Sequence, residues 1–318
     1  MSSLGHRVIC LDTVMIDFAL IVDALPPRGG DALSSARLVT AGGGYNMMSA
    51  ARRQGLDVVY AGQLGHGRFA DIAAAVLADE GISLAVAAQG TRDLGVCVVL
   101  VEATGERTFI TSPGAELSLR PEELAAVAVV PGDVVYVSGY NVVYPELAPT
   151  VTHWLSTLAP EVVVAFDPGP RAADIDHGVM AHVMGRTDWL LCNAAEARHM
   201  SSESEAWRCA QVLHDRWGFD RVVVRDGAQG CSIASDDGVW DVPGFETKVV
   251  DTNGAGDVHN GVVIAELGRG SSFEEATLRA NAAAAIAIAS FGPATCPERG
   301  EVDSLLSRHP RQATRREG

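Results

Sequence analysis

The chain has 318 residues, with 24 Lys and Arg against 40 Asp and Glu, which gives a formal net charge of −16 at pH 7. A surface of this sign repels nucleic-acid backbones and anionic lipids, so we expect no nucleic-acid or membrane partner. Hydrophobic residues make up 47% and charged residues 20%, as in a globular protein rather than a disordered one. A small molecule is therefore the expected partner.

The cysteines and the apolar runs indicate where the protein works. The six cysteines are scattered and form no CxxC pair, so neither a zinc site nor a disulfide framework is predicted. No apolar run approaches the roughly 18 residues that a membrane helix needs, and no secretory segment opens the chain. We therefore expect a cytoplasmic protein in a reducing environment.

Short runs rich in β-branched residues recur along the chain, separated by segments of helix length. This alternation predicts a mostly parallel sheet with right-handed crossover helices on both faces. We therefore expect an α/β protein with a doubly wound, three-layer αβα domain. The runs are RVICL (7–11), DVVYAG (57–62), DVVYVS (133–138), EVVVAF (161–166), DWLLC (188–192) and DRVVVR (220–225).

Two segments, at about residues 17–40 and 95–112, break this rhythm and indicate short strands and hairpins. Together they predict a small β-sheet, too small to fold alone, that forms a lid over one edge of the main sheet. The run CSIASDDGVWDV predicts a further hairpin around its Asp-Gly turn. A basic, apolar-poor end predicts a domain over residues 1–306 and a frayed tail over 307–318.

The segment DTNGAGDVHNGVV (251–263) combines a Gly-Ala-Gly turn with the start of a helix near Asp257. Backbone N–H groups around Asn253 to Gly256 then point outward beside the positive end of the helix dipole, where an anion binds. A carboxylate beside an anion site can orient and deprotonate an attacking hydroxyl, so the pattern predicts phosphoryl transfer with Asp257 as the base. The alternative is an acidic helix-start residue that only complements the dipole.

A second glycine-rich segment, AGGGYNMMSAARRQG (41–55), opens a helix with three consecutive glycines. These glycines, residues 42–44, let backbone amides touch a polyhydroxylated ligand. The amide of Asn46 can both donate to and accept from hydroxyls. A tight strand-to-helix turn with Asn46 as the helix N-cap is the alternative.

Together the two segments resemble the two signatures of the ribokinase-like (PfkB) carbohydrate kinases. Residues 251–257 match the usual DTxGAGD pattern, and residues 42–44 with Asn46 match the glycine-rich signature. Val262 and Met48 stand where the family usually has small residues, which concerns packing rather than chemistry. The resemblance spans nearly the whole chain and implies a ribokinase-like fold and an ATP-dependent kinase for a sugar or sugar-like alcohol.

The resemblance also implies roles on the acceptor side of the site. The hydroxymethyl group of the acceptor would lie next to Asp257, and the family carries an aspartate that binds sugar hydroxyls at the end of the first strand. By spacing this aspartate is Asp17, with Asp12 as a second candidate. The amides of residues 254–257 would form the anion hole for the phosphoryl group. The implied catalytic residues are Asp257, Gly254, Ala255 and Gly256, and the implied acceptor-binding residues are Asp17, Gly42, Gly43, Asn46 and Asp12.

On the nucleotide side, Asn193 and Glu196 have the N-x-x-E spacing that similar kinases use around Mg²⁺ and the ATP phosphates, on one face of a helix. A capping box formed by the same two residues is the alternative. The resemblance implies K⁺ as a further candidate ion, with Asp251 and Asn253 among its ligands. The implied nucleotide-binding residues are Asn193, Glu196, Arg225, Gly227, Gly230, Thr252, Asn253 and Asn281, and Asp167 and Arg171 are implied to line the site.

A phosphorylated acceptor would call for clustered basic residues on the acceptor side, and the sequence offers only scattered ones. We therefore expect an unphosphorylated pentose or hexose as acceptor, with ATP and Mg²⁺. Two alternatives stay open: a nucleoside kinase in which Tyr45 or Tyr140 stacks on the base, and a non-catalytic sugar- or nucleotide-sensing relative. A homodimer through the exposed lid edge is also expected. The scattered arginines are Arg28, Arg37, Arg92 and Arg107.

Overall fold

The computed structural model describes residues 7–102, 106–292 and 294–316. The strands are β1 (Arg7–Cys10), β2 (Val14–Val22), β3 (Ala36–Gly43), β4 (Asp57–Tyr60), β5 (Ser83–Leu84), β6 (Val96–Glu102), β7 (Arg107–Ser112), β8 (Val134–Ser138), β9 (Val163–Asp167), β10 (Trp189–Asn193), β11 (Arg221–Arg225), β12 (Gly230–Ser235), β13 (Gly238–Pro243) and β14 (Thr314–Arg315). The helices are α1 (Gly44–Arg53), α2 (Arg68–Asp79), α3 (Pro121–Ala125), α4 (Ala148–Thr157), α5 (His177–Met184), α6 (Ala194–Ser201), α7 (Ala206–Trp217), α8 (Ala255–Gly268), α9 (Phe273–Ala287) and α10 (Arg299–Arg308).

The main sheet has the order β14-β13-β12-β11-β10-β9-β8-β1-β4-β5. The strands from β11 to β5 pair in parallel, and β12, β13 and β14 extend one edge in antiparallel fashion. Each β-branched run singled out in the sequence forms a strand of this sheet, and the run with the Asp-Gly turn forms the β12–β13 hairpin. The predicted three-layer α/β fold is confirmed.

Apolar cores cover both faces of the main sheet, which explains why its strands are continuous apolar runs. In β1, Val8 and Cys10 point into one core while Ile9 points into the other, as the alternation of side chains along a strand requires. Helices α1, α2, α8, α9 and α10 contribute to the first core, and α4 to α7 contribute to the second. All six cysteines are free and buried, as expected for core residues.

The second sheet is the lid, with the order β3-β2-β6-β7. Strands β2 and β3 pair antiparallel, as do β6 and β7, while β2 and β6 pair in parallel. One lid face buries Ala19, Val99 and Val101, and Phe291 from the segment after α9 packs against it. The predicted small sheet is confirmed, with its first strand starting at Val14 rather than near residue 17.

The end of the chain differs from the expected frayed tail. Helix α10 continues to Arg308, and β14 pairs antiparallel with β13, so that Arg315 lies opposite Trp240. The guanidinium of Arg315 stands 5.6 Å from the centre of the Trp240 ring, which gives this basic segment a packing partner. Residues 307–316 therefore belong to the folded domain, and residues 317 and 318 of the predicted tail lie outside the described residues. Among the described residues, no helix combines the length and apolarity needed to cross a membrane.

Candidate active site

A row of polar residues follows the carboxyl ends of the parallel strands. Asp12 comes just after β1, Ser138 and Asp167 end β8 and β9, and Asn193 and Arg225 end β10 and β11. Strand order reverses at β1, and ligands of open α/β sheets bind at such a reversal, beyond the carboxyl ends of the strands. The candidate site therefore lies along this edge, beneath the lid.

Helix α8 starts at this edge and presents its first turn to the site. Gly254 is its N-cap, in the left-handed region at φ 73°, and the helix begins at Ala255, slightly earlier than predicted. Within the described residues, the N–H groups of Gly254, Gly256 and Asp257 have no hydrogen-bond partner. Three outward amides beside the positive end of a helix can bind an anion.

Two of the expected amide donors are already used inside the protein. The N–H of Asn253 donates to the Asp251 carboxylate at 2.7 Å, and the N–H of Ala255 lies 3.3 Å from the carbonyl of Thr252. Asn253 therefore drops out of the stretch from Asn253 to Gly256 first considered for anion binding. The free donors all lie within residues 254–257, the range assigned to the anion hole in catalysis.

The two glycine-rich segments meet at Asp257. Asn46 Nδ2 donates to Asp257 Oδ2 at 3.3 Å, and Asn46 Oδ1 accepts from the N–H of Ala294 at 2.9 Å. Gly254 lies against the same amide, since a Cβ on it would stand 3.2 Å from Asn46 Cγ. Helix α1 begins at Gly44 with Gly43 as its N-cap, so the alternative of Asn46 as N-cap is wrong.

The environment of Asp257 favours its protonated form. Burial, together with the nearby carboxylates of Asp12 and Asp167, raises the pKa of Asp257 to about 8. Burial likewise raises the pKa of Asp12 to about 7. A carboxylate with a pKa near neutrality is a stronger proton acceptor than an ordinary aspartate, which suits a general base.

The raised pKa of Asp257 predicts a pH dependence of stability. An aspartate in the unfolded chain titrates near about 3.9, so the folded protein, with a pKa of about 8 for Asp257, binds this proton more tightly. The contribution of Asp257 to the free energy of unfolding should therefore fall as pH rises between these values. Asp257→Asn should gain stability over wild type at about pH 8.5 and much less at about pH 5. Thermal unfolding of the ligand-free proteins measures this, and an equal difference at both pH values would contradict it.

One of the two acceptor-side aspartates occupies a different place from the one expected. Asp17 lies in the middle of lid strand β2, not at the end of the first strand, and Asp12 is the second residue beyond β1. The Asp12 carboxylate accepts from the N–H of Thr13 at 2.7 Å and from the hydroxyl of Ser138. Asp17 sits over Gly42, where a Cβ would stand 2.2 Å from its Oδ2. Both are buried, and Asp12 lies close enough to Asp257 for its charge to raise the pKa of Asp257.

A buried polar network supports the first turns of α8. Asn260, three residues after Asp257, donates to Asp167 Oδ2 at 2.6 Å and to the hydroxyl of Tyr136 at 3.1 Å. Arg225 donates to Asp167 at 3.1 Å and pairs with the Asn260 side chain. The guanidinium of Arg225 thus holds α8 in place through Asn260. It also places positive charge close to the anion site, since a Cβ on Gly256 would stand 3.3 Å from this side chain.

Sequence reasoning missed Asn260, although a signal for it existed. It lies one helical turn after Asp257, on the same side of the helix, and it is a fully buried amide. Arg171, implied to line the site, has partners of its own. Its guanidinium pairs with Asp174 at 3.0 Å and stands over the Tyr144 ring at 5.7 Å.

Asn193 and Glu196 form the capping box that the sequence left open as the alternative. The Asn193 side chain accepts from the N–H of Glu196 at 2.9 Å, and Glu196 Oε2 accepts from the N–H of Asn193 at 2.8 Å. Asn193 Nδ2 also donates to Glu196 Oε1 at 2.6 Å. Burial and the Asp167 charge raise the pKa of Glu196 to about 7. Both residues stand at the site edge, with their side chains already bonded to each other.

The other nucleotide-side residues divide into open and occupied positions. A Cβ on Gly227 would have no neighbour within 4 Å, so the surface at this glycine is open to a ligand. A Cβ on Gly230 would stand 2.1 Å from the carbonyl oxygen of Val242, so this glycine is required by the β12–β13 hairpin itself. Asn281 is also occupied internally, since it bonds to His259 at 3.1 Å and to the Val242 carbonyl at 3.1 Å.

Asp251 and Thr252 contact the lid. Arg107, the first residue of β7, forms an ion pair with Asp251 and donates to the hydroxyl of Thr252 at 3.4 Å. The Asp251 carboxylate also accepts from the N–H groups of Asn253 and Gly292. Because the Asp251 side chain already pairs with the guanidinium of Arg107, only the backbone carbonyls of this segment remain as candidate ligands for K⁺.

The two tyrosines considered for stacking on a nucleobase lie in different environments. The hydroxyl of Tyr45 donates to Glu80 at 3.0 Å and the ring is buried in the core, so it cannot stack on a ligand. Tyr140 lies among the site carboxylates: burial, together with the charges of Asp12 and Asp257, raises its pKa to about 12. Of the two tyrosines, Tyr140 is therefore the one that lies near Asp12 and Asp257.

The fold and this site define a class of protein, the phosphotransferases that move a phosphoryl group to an alcohol. They combine backbone anion donors with a helix-start carboxylate at the carboxyl edge of a parallel sheet. The family model of the pfkB family carbohydrate kinases matches residues 6–299, so the chain belongs to this family. It is accordingly an ATP-dependent carbohydrate kinase.

Similar proteins span nearly the whole chain. An uncharacterized sugar kinase, YegV, of Escherichia coli (strain K12) is 33% identical over 302 residues, which cover 93% of each chain. An ATP-dependent ribose-1-phosphate kinase of Halopiger xanaduensis is 28% identical and covers 95% of this chain and 98% of its own. The crystal structure of a putative ribokinase II from E. coli, in complex with ATP and Mg²⁺, has a TM-score of 0.82 at 20% identity, over 96% of this chain and 100% of that one.

Proposed function

We propose that the protein transfers the γ-phosphoryl group of ATP to a hydroxymethyl group of an unphosphorylated pentose or hexose. The hydrogen bond of 3.3 Å between Asn46 and Asp257 carries this proposal. It joins the glycine-rich acceptor segment to the start of α8, so a hydroxyl held on the acceptor side would lie beside both the carboxylate and the anion-binding amides.

In the proposed reaction, Asp257 accepts the proton of the acceptor hydroxyl while that oxygen attacks the γ-phosphorus. The bond between the γ-phosphorus and the β–γ bridging oxygen breaks, and ADP leaves. The free amides of Gly254, Gly256 and Asp257 stabilise the negative charge that spreads over the phosphoryl oxygens. Asp12 and Asp17 accept hydrogen bonds from the other hydroxyls of the sugar. The lid excludes water, which would otherwise compete as acceptor.

The residues present fit a magnesium ion that is held mainly by nucleotide phosphates and water. Within residues 7–102, 106–292 and 294–316, no group of three or more His, Cys, Asp or Glu side chains could hold a metal by itself. Mg²⁺ usually keeps several waters and takes only one or two carboxylates from the protein. When bound with ATP it neutralises phosphate charge, and Glu196 with Asn193 would hold its water shell.

A pair of substitutions separates the metal role of Glu196 from its capping role. Glu196→Gln keeps an oxygen for the N–H of Asn193 but removes the charge, whereas Glu196→Ala removes both. We expect both variants to raise the Mg²⁺ concentration for half-maximal activity about 10-fold. Only the Ala variant should also lower the melting temperature. A Mg²⁺ titration of activity measures this, and an unchanged Mg²⁺ requirement in Glu196→Gln would leave capping as the only role.

The arrangement of arginines supports an unphosphorylated acceptor. Arg107 shares the inner lid face with Asp17 but pairs with Asp251. Arg37 lies opposite Leu20 in the β2–β3 pairing, on the other face of the lid, and Arg92 donates to the carbonyl of Pro113. None of these guanidinium groups is presented to a sugar phosphate at Asp17. The proposal therefore differs from the ribose-1-phosphate named for the Halopiger relative.

A coupled ADP-release screen tests the proposed function. Purified protein with ATP and Mg²⁺ is offered pentoses, hexoses, ribose 1-phosphate and nucleosides in parallel. Turnover on a free sugar supports the proposal. Turnover confined to ribose 1-phosphate or to nucleosides would overturn the acceptor class, and binding without turnover of any acceptor would favour a sensing protein.

The proposed homodimer through the lid rests on one exposed edge. Strand β7 forms an end of the lid sheet, and its Phe109 and Ile110 are 53% and 60% exposed. We propose that a second copy of the chain covers this edge, because covering an unpaired strand with exposed apolar side chains is favourable.

A further inference from the structure

The hairpin of β6 and β7 is pinned at one end of the lid. Glu116 bonds to the backbone on both sides of this end. Its carboxylate accepts from the N–H of Gly95, just before β6, at 2.9 Å and from the N–H of Gly114, after β7, at 2.7 Å. The two glycines are in close contact, since a Cβ on Gly114 would stand 2.3 Å from the nitrogen of Gly95. This end joins the lid to the main domain and forms the base of the hairpin.

The opposite end of the hairpin contacts the loop that precedes α8. Arg107 opens β7 at this end, and its side chain is 10% exposed while that of its partner Asp251 is 4% exposed. The guanidinium also donates to the Thr252 hydroxyl at 3.4 Å. A buried pair of this kind is stable only while both partners are present, because either charge alone would be buried without compensation.

Asp251 transmits this contact to the anion site. Its Oδ1 accepts from the N–H of Asn253 at 2.7 Å, one residue before the N-cap of α8. Its Oδ2 accepts from the N–H of Gly292 at 3.0 Å. A Cβ on Gly292 would stand 2.7 Å from the side chain of Leu38, so this second segment also touches the lid. One carboxylate therefore connects the lid, the loop before α8 and the segment after α9.

We propose that Arg107 is a positioning residue, which sets the backbone of residues 251–254 through Asp251 when the lid is closed. This inference rests on the proposed phosphoryl transfer, because the set backbone is that of the anion site. Arg107 acts on the site without touching either substrate. Its loss would leave the Asp251 carboxylate without its cation, and the loop before α8 would lose its fixed geometry.

Activity measurements on Arg107→Met test the proposal, with Arg37→Met as the matched control on the outer lid face. We expect kcat to fall on the order of 10- to 100-fold, with the KM for ATP changed less than about 3-fold. The share of ADP released without sugar phosphate should rise, because an open lid admits water. Arg107→Lys should recover part of the loss, and Arg37→Met should behave as wild type.

A double-mutant cycle with Asp251→Asn tests whether Arg107 acts through Asp251. If Arg107 acts through Asp251, then Arg107→Met in the Asp251→Asn background should lower kcat by less than about 3-fold further, because contacting residues are not additive. An equal loss in both backgrounds would overturn the proposal and assign Arg107 a direct contact with substrate. Unchanged kcat and unchanged ADP release in Arg107→Met would also overturn it.

Hydrogen exchange separates this proposal from the proposed function. Without any substrate, Arg107→Met should speed amide exchange in peptides covering residues 250–254 and 290–292, and Arg37→Met should not. If the wild type phosphorylates no sugar while this exchange changes as expected, the function fails and the coupling stands. If exchange is unchanged in an active enzyme, the coupling fails and the function stands. Arg107→Gln replaces Arg107→Met on all readouts if the latter does not fold.

Discussion

Asp257→Asn is expected to lower kcat by about 10³-fold, within the range that general-base catalysis contributes. The substitution keeps the size of the side chain and its place in the first turn of α8, so the amides of Gly254 and Gly256 should still bind the phosphates. The dissociation constant of ATP should therefore change little. What is lost is the acceptor for the hydroxyl proton.

The measurement is steady-state turnover with saturating sugar, together with ATP binding by calorimetry. Asp174→Asn is a suitable control, because Asp174 is exposed and has no assigned role in phosphoryl transfer. Wild-type activity should also rise with pH toward the pKa of about 8 of Asp257, since only the ionised carboxylate accepts the proton. Near-normal turnover of Asp257→Asn would remove Asp257 from the role of base.

Most of the main sheet could be predicted from the sequence because its strands are buried on both faces. Such strands are short, continuous apolar runs, and the runs that became β1, β8 and β11 are typical of them. Strand β14 could not be predicted in this way. Its two residues, Thr314 and Arg315, are exposed and polar, and the contact that orders them is the ring of Trp240, distant in sequence.

Parts of the site depend on contacts that no local pattern reveals. Nothing in the run LDTVMIDFAL marks the point where the chain leaves the main sheet. The sequence therefore puts Asp17 at the end of the first strand, whereas the chain enters the lid at Val14 and carries Asp17 within it. The N-x-x-E spacing of Asn193 and Glu196 is the same for a capping box and for a metal site, so sequence alone could not separate them. The ion pair of Arg107 and Asp251 joins residues 144 positions apart.

Asp17→Asn is expected to raise the KM of the sugar about 10- to 100-fold, with a smaller effect on kcat and none on the KM of ATP. Among the described residues, no hydrogen bond reaches the Asp17 carboxylate, although Asp17 is only 7% exposed and burial raises its pKa to about 7. A buried carboxylate without a protein partner is costly, and sugar hydroxyls would supply the missing donors. A hydrogen bond to a charged group contributes about 1.5–3 kcal/mol, which corresponds to this change in affinity.

Asp12→Asn is the matched comparison for Asp17→Asn, because the Asp12 carboxylate already accepts from Thr13 and Ser138 within the protein. Its replacement should lower the melting temperature more than that of Asp17, since it weakens the turn between β1 and the lid. Sugar KM values from both variants, measured on the same acceptor, distinguish the two aspartates. If Asp12→Asn raises the sugar KM and Asp17→Asn does not, the hydroxyl-binding role passes from Asp17 to Asp12.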